Sequence, residues 1–81
     1  MSDISIMSLE STDPDLLKFG ENLARLRKEK GLSLRKLALL AGIEHHQLIN
    51  IEKGRVDLRF STLNKLAKGL EIDTKELLGP Q

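Results

Sequence analysis

The side chains best suited to chemistry in this 81-residue chain are two adjacent histidines, His45 and His46. The chain has no cysteine, so it can form neither a thiolate metal site nor a disulfide. Neighbouring helical residues diverge by about 100°, and the pair of His ligands at i and i+4 is absent, so the two rings are poorly placed to share a metal. No serine has a base at a recognisable spacing. An enzyme is therefore not expected, nor is a cofactor or a metal.

The charges are unevenly distributed along the chain. The formal net charge is only +1, but residues 1–15 contain four acidic residues and no lysine or arginine. The remainder is therefore basic, and a local basic surface can bind nucleic acid without an extreme overall charge. No apolar run is long enough to cross a membrane, and no signal-peptide pattern opens the chain. We therefore expect a cytoplasmic protein with no membrane partner.

Apolar residues recur at helical spacing through most of the chain, which predicts an all-α domain of five helices over residues 14–79. Residues 1–13 lack this spacing and are predicted to form a flexible N-terminal arm. Asp13-Pro14 is a helix-start signal and Gly31 a stop, which predicts a first helix over about 14–30.

Two short helices follow, separated by a glycine turn. Ser33 can cap the second helix, and Gly42 interrupts it after two turns. The third is predicted from about 45 to 53, before Gly54. Two short helices flanking a tight glycine turn form the helix-turn-helix pattern.

The C-terminal part predicts two more helices. The fourth carries Phe60, Leu63, Leu66, Ala67 and Leu70, and no capping residue marks its start. Asp73 and Glu76 have the spacing of a capping box and predict a short fifth helix before Gly79-Pro80.

These segments resemble the Cro/lambda-repressor-like, or XRE-type, helix-turn-helix family. The similar residues are Phe19-Gly20-Glu21-Asn22-Leu23, Leu26-Arg27, Gly31-Leu32-Ser33, Leu37-Ala38, Ala41-Gly42-Ile43, Glu52-Lys53-Gly54, Thr62-Leu63, Leu66-Ala67 and Leu70. Within the family, the first helix and Lys68-Gly69-Leu70 look closest to restriction–modification controller proteins. The resemblance implies a compact five-helix fold, with the second helix across the DNA backbone and the third in the major groove.

The resemblance also implies an ion pair between Arg27 and Glu52. Arg27 has an independent reason to be paired, because it lies on the apolar stripe of the first helix, where an unpaired charge would be costly. The alternative is that its guanidinium extends past the stripe to solvent.

Given this pattern, the third helix is predicted to read DNA. A helical wheel with Leu48 and Ile51 inward points the polar residues outward. The predicted base contacts are His45, His46, Ile49 and Asn50, because imidazole can donate to guanine, asparagine can pair with adenine, and isoleucine can pack on a thymine methyl. The predicted phosphate contacts are Arg35, Lys36, Gln47, Lys53 and Arg55. For each residue the alternative is an ordinary solvated side chain.

Glu44 departs from the family pattern, which often opens the recognition helix with Ser or Thr. A glutamate can still cap the helix from this position. Its charge near the phosphates is expected to weaken non-specific DNA binding.

The chain is thus predicted to be a sequence-specific transcriptional regulator that binds double-stranded DNA as a homodimer at a palindromic operator. The candidate dimer residues are Leu58, Ile72, Leu77 and Leu78; for Leu77, core burial is an equally good explanation. Repression is favoured, because the second helix carries Arg35, Lys36 and Leu39 where some relatives present acidic residues to RNA polymerase. The polymerase stays a candidate partner.

A second class of function is protein binding, as an antitoxin or adaptor module on the same fold. Its best support is Leu39, which the wheel places opposite the core. One exposed leucine is common on soluble proteins, so DNA binding is favoured. The two functions are compatible, because an antitoxin usually also represses its own promoter.

Overall fold

The computed structural model describes residues 13–79, which form five α-helices. They are α1 (Pro14–Glu29), α2 (Leu34–Ala41), α3 (His45–Glu52), α4 (Phe60–Leu70) and α5 (Thr74–Leu78). Within that range there is no strand and no helix long and apolar enough to cross a membrane. The all-α prediction is confirmed, and the predicted α1 and α3 end within one residue of the observed helices. The arm predicted over residues 1–13 lies outside the described residues, except for Asp13.

Side-chain caps and a glycine turn explain the first helix boundaries. An Asp13 carboxylate oxygen accepts a hydrogen bond from the amide of Asp15 at 2.8 Å, and the Ser33 hydroxyl accepts one from the amide of Lys36 at 3.0 Å. Gly42 ends α2 in the left-handed conformation, with a φ of 73°, which a residue with a side chain rarely adopts. This turn directs the chain from α2 into α3.

Two caps expected from the sequence are not made. The side chain of Asp73 forms no capping hydrogen bond with α5, so the predicted capping box is absent, and the side chain of Glu44 forms none with α3. The short α5 is held by hydrogen bonds at its C-terminal end. There the Asn22 amide nitrogen donates to the carbonyls of Glu76 and Leu77, at 3.2 and 2.8 Å. A side chain 54 positions away in sequence therefore caps the last carbonyls of α5, while the amides of its first turn have no side-chain cap.

The core is built from leucine, isoleucine and alanine, with one phenylalanine. Its fully buried side chains are Leu23, Leu37, Leu48, Ile51, Leu66, Leu70 and Leu77. Each contributes about 1.5–3 kcal/mol by leaving water. Helix α3 packs on both α1 and α2, and α4 packs on α2. These contacts fix which face of α3 is turned away from the core.

Leu77 belongs to this core, so the prediction that it forms part of a dimer surface is wrong. Its side chain is completely buried because α5 packs back against α1 and α4. Leu58 and Ile72 are partly buried against the core, whereas Leu78 is half exposed. Phe60 is 72% exposed although it continues the apolar spacing of α4. The accessible apolar surface in this part of the fold therefore includes Phe60 and Leu78.

Candidate nucleic-acid interface

The exposed side of α3 contains the residues predicted to contact bases, with different degrees of accessibility. Leu48 and Ile51 are buried in the core. His46 is exposed, whereas His45, Ile49 and Asn50 are partly buried. Burial on one face and exposure on the other follow from the 3.6-residue helical period. Of the four residues predicted to contact bases, His46 therefore has the most accessible side chain.

The two histidines do not diverge as expected from their adjacent positions. Their rings are nearly parallel, with 12° between the planes and 6.5 Å between the centroids. The two rings therefore stack at the start of α3. Two imidazoles are thus available at the same end of the helix to donate hydrogen bonds.

Asn50 and Arg55 are in contact at the other end of α3. The guanidinium of Arg55 donates to the Asn50 side-chain oxygen over 3.4 Å, which is long for such a bond. Pairing with adenine requires both the oxygen and the nitrogen of the asparagine amide. The amide nitrogen of Asn50 and the second lone pair of its oxygen are not used in this contact.

The five residues predicted to contact phosphates are all exposed. They are Arg35, Lys36, Gln47, Lys53 and Arg55. Arg35 and Lys36 lie in the first turn of α2, and Lys53 is the C-cap residue of α3. Cations thus stand at the start of α2 and directly after the end of α3.

A polar groove between the end of α3 and the start of α4 contains groups beyond the predicted phosphate contacts. Gln47 lines it from α3, and Arg59, Ser61, Thr62 and Lys65 line it from the start of α4. The first turn of α4 has no side-chain cap, so its amides are available to an anion. The cationic and hydroxyl residues around the start of the fourth helix are the sequence signal that could have identified this groove.

The predicted pairing partners Arg27 and Glu52 are in contact beneath this surface. The guanidinium donates twice to the Glu52 carboxylate, with nitrogen–oxygen distances of 2.7 and 3.1 Å. It also donates to the carbonyl of Leu32 at 2.8 Å. Only about a tenth of either side chain is exposed, so Arg27 does not extend to solvent. The pair ties α1 to the last residue of α3 and so fixes the position of that helix.

A glycine turn between two short helices, with a polar outer face on the second and cations at the start of the first and just after the second, is the arrangement of a DNA-binding helix-turn-helix domain. The chain belongs to the helix-turn-helix domain family, which it matches over residues 20–79.

Similar proteins are transcriptional regulators. The chain is 38% identical to the uncharacterized HTH-type transcriptional regulator y4dJ of Sinorhizobium fredii, an alignment that covers 75% of this chain and 79% of y4dJ. It is 41% identical to the HTH-type transcriptional regulator PuuR of Escherichia coli, over 70% of this chain but only 31% of PuuR.

The crystal structure of the restriction–modification controller protein C.AhdI from Aeromonas hydrophila is similar in fold. It has a TM-score of 0.77 and 40% identity, and the match covers 78% of this chain and 96% of C.AhdI. The predicted membership of the XRE-type family is confirmed, with controller proteins among the structural neighbours. The chain is a DNA-binding transcriptional regulator.

Proposed function

We propose that this regulator acts in the cytoplasm as a homodimeric repressor and binds a palindromic operator, with α3 of each copy in the major groove. The observation that carries the proposal is the polar outer face of α3. Buried Leu48 and Ile51, together with the ion pair of Glu52, hold that face outward. A helix fixed in this way can present side chains to base edges without further ordering.

The base contacts in this proposal centre on His46, which is exposed near the start of α3. His45, Ile49 and Asn50 are less accessible and would contact bases at the edges of the same footprint. Imidazole suits guanine, the asparagine amide suits adenine, and the isoleucine side chain suits a thymine methyl.

The phosphate contacts would lie on both sides of α3. Arg35 and Lys36 lie in the first turn of α2, where the helix N-terminus also attracts anions. Lys53 and Arg55 stand at the end of α3, and Gln47 and Lys65 line the polar groove nearby. Such contacts give affinity and register without reading the sequence.

Substitution of Lys53 by alanine is expected to weaken binding to all duplexes about equally, and to reduce the salt dependence of log K by about 1 per copy. His46→Gln is expected instead to change the preferred sequence, with about 1–3 kcal/mol lost at one position. The measurement is a set of binding isotherms on matched and single-base-changed duplexes at several salt concentrations.

Lys75→Ala is the matched control for Lys53→Ala. Lys75 is also an exposed lysine, but it lies on α5, which packs on α1 and α4. Its removal should leave both affinity and salt slope near those of the unchanged protein. A wild-type protein that binds no duplex, or a Lys53→Ala variant indistinguishable from Lys75→Ala, would contradict this placement of the interface.

The dimer surface in this proposal is an apolar groove at one end of α4. Its lining residues include Leu16, Phe19, Leu58, Phe60, Leu63 and Leu78. Asp15 and Arg59 also line it, so a copy related by a two-fold axis can bring unlike charges together. Ile72 would lie outside this groove, at the margin of the interface.

Replacing both Phe60 and Leu78 with serine is expected to weaken self-association at least about tenfold, because each loses more than 1 kcal/mol of apolar burial. Sedimentation equilibrium measures the change. Leu39→Ser is the control, since Leu39 is as exposed as Phe60 but lies on α2, outside the groove. A wild-type protein that is monomeric both free and on DNA would refute the dimer.

Repression is the favoured direction of control because the exposed side chains of α2 are cationic or apolar, including Arg35, Lys36 and Leu39. An acidic surface for RNA polymerase is therefore not expected on this helix.

Leu39 and its half-exposed neighbour Leu40 support a second candidate function, protein binding as an antitoxin or adaptor. A gel-shift assay on random genomic duplexes, set against a pull-down that Leu39→Ser abolishes, distinguishes the two functions.

A further inference from the structure

We propose that Glu44 determines specificity by selecting cytosine at one position of each half-site. The inference rests on the proposed function, because it requires α3 to lie in the major groove. Glu44 is the N-cap residue of α3 and directly precedes His45 and His46. Side chains at this end of a recognition helix are those that reach base edges.

The side chain of Glu44 has no structural task within residues 13–79. It is exposed and makes no capping hydrogen bond, although its backbone has the extended conformation of a cap, with φ −77° and ψ 148°. The ion pairs in that range join Arg25 to Glu29 and Arg27 to Glu52. The Glu44 carboxylate is therefore free to meet a ligand.

A carboxylate discriminates between bases because it can only accept hydrogen bonds. In the major groove, guanine presents two acceptors, and thymine presents an acceptor beside a methyl group. Adenine offers an amino group next to the acceptor N7. Cytosine presents its N4 amino group without a neighbouring acceptor, so its edge fits Glu44 best.

The composition of α3 makes this contact more important. Proteins commonly read a G·C pair from the guanine side with arginine or lysine, but α3 contains neither. Its alternatives are the imidazoles of His45 and His46 on guanine and the carboxylate of Glu44 on cytosine. Because the three residues are consecutive, a histidine and Glu44 can read the two bases of one G·C pair.

The negative charge also affects binding to other sequences. Where the facing base is guanine or thymine, Glu44 meets only acceptors or a methyl group and opposes binding. It therefore lowers affinity for non-operator DNA more than for the operator, which widens the ratio between the two.

The test is selection from a random duplex pool with the wild-type protein, Glu44→Ala and Glu44→Gln, followed by isotherms on the selected duplex and its single-base variants. The wild type is expected to select cytosine at one position per half-site. Glu44→Ala should lose about tenfold of that discrimination. Glu44→Gln should shift the preference toward adenine, which glutamine can contact through both its oxygen and its nitrogen.

Glu21→Gln is the control, because Glu21 is an exposed carboxylate on α1; it should select the same bases as the wild type. Thermal unfolding of each variant checks that the fold is kept. If both Glu44 variants select the wild-type bases and bind every duplex more tightly by one factor, Glu44 only repels phosphate; the inference is then wrong while the proposed function stands. A wild type without sequence preference refutes the proposed function, and the inference with it.

Discussion

Arg27→Ala is expected to lower the free energy of unfolding by about 3–5 kcal/mol. The substitution leaves the Glu52 carboxylate in a site where about a tenth of its side chain reaches solvent, without the two hydrogen bonds that it accepts from Arg27. A domain of this size has a net stability of roughly 3–5 kcal/mol, so much of the variant should be unfolded at room temperature. Urea unfolding followed by circular dichroism measures the loss.

Glu52→Ala should cost less than Arg27→Ala, because the two partners are not left in equivalent states. Arg27 keeps its hydrogen bond to the Leu32 carbonyl at 2.8 Å. Its long aliphatic chain can also lift the guanidinium toward water, which the shorter glutamate cannot do as easily. The variant that loses more unfolding free energy therefore shows which of the two charges is harder to leave without its partner.

The double variant Arg27→Met/Glu52→Leu separates a stranded charge from a general packing defect. Replacing a buried pair with apolar residues of similar volume is often neutral, so this variant should be more stable than either single alanine variant. The exposed pair Arg25–Glu29 provides the surface control, and Glu29→Ala should change stability by less than about 1 kcal/mol. If Arg27→Ala and Glu52→Ala both melt within roughly two degrees of the wild type, the pair contributes almost nothing in solution.

Much of the fold was predictable because its signals are local. Asp13 and Ser33 cap the helices they were expected to cap, and Gly42 turns the chain where the apolar spacing breaks. A cap or a turn depends on residues within a few positions of itself, so the sequence displays all the partners. The outward face of α3 was predictable for the same reason, since Leu48 and Ile51 define its inward face.

The features that could not be predicted depend on which helices pack against each other. The spacing of apolar residues within one helix does not reveal its packing partner. Leu77 and Phe60 both continue an apolar pattern, yet Leu77 is buried because α5 packs on α1 and α4, whereas Phe60 is exposed on α4. Asn22 binds carbonyls of α5 across 54 positions of sequence. Asp73 and Glu44 occupy N-cap positions, but their side chains form no capping hydrogen bond. A residue type that can cap a helix does not by itself determine that its side chain adopts the capping rotamer.

Gly20 is subject to a packing constraint that could not be recognised from the sequence. It lies within α1, a place where glycine usually costs about 1 kcal/mol relative to alanine. A Cβ atom built there would stand 2.7 Å from the backbone carbonyl oxygen of Ile51 and closer still to that of Glu52. The backbones of α1 and α3 therefore meet at this point, next to the Arg27–Glu52 pair, and only a residue without a side chain permits the approach.

Gly20→Ala is consequently expected to destabilise the domain by about 3 kcal/mol, despite the gain in helix propensity, because a backbone cannot yield as a flexible side chain does. Gly69→Ala is the matched control. Gly69 is also inside a helix, but its Cβ would lie 3.1 Å from the nearest atom, the amide nitrogen of Ala41, so a shift of a few tenths of an ångström suffices. Its free energy of unfolding should change by no more than about 1 kcal/mol, since the propensity gain offsets the crowding.

Thermal unfolding of the two variants, with DNA binding measured below the lower melting temperature, tests the difference. The residual folded Gly20→Ala protein should also bind DNA more weakly, because α3 must move away from α1. A Gly20→Ala protein as stable as Gly69→Ala would mean that α1 and α3 do not touch through their backbones, and that α3 is positioned by the ion pair and the apolar core alone.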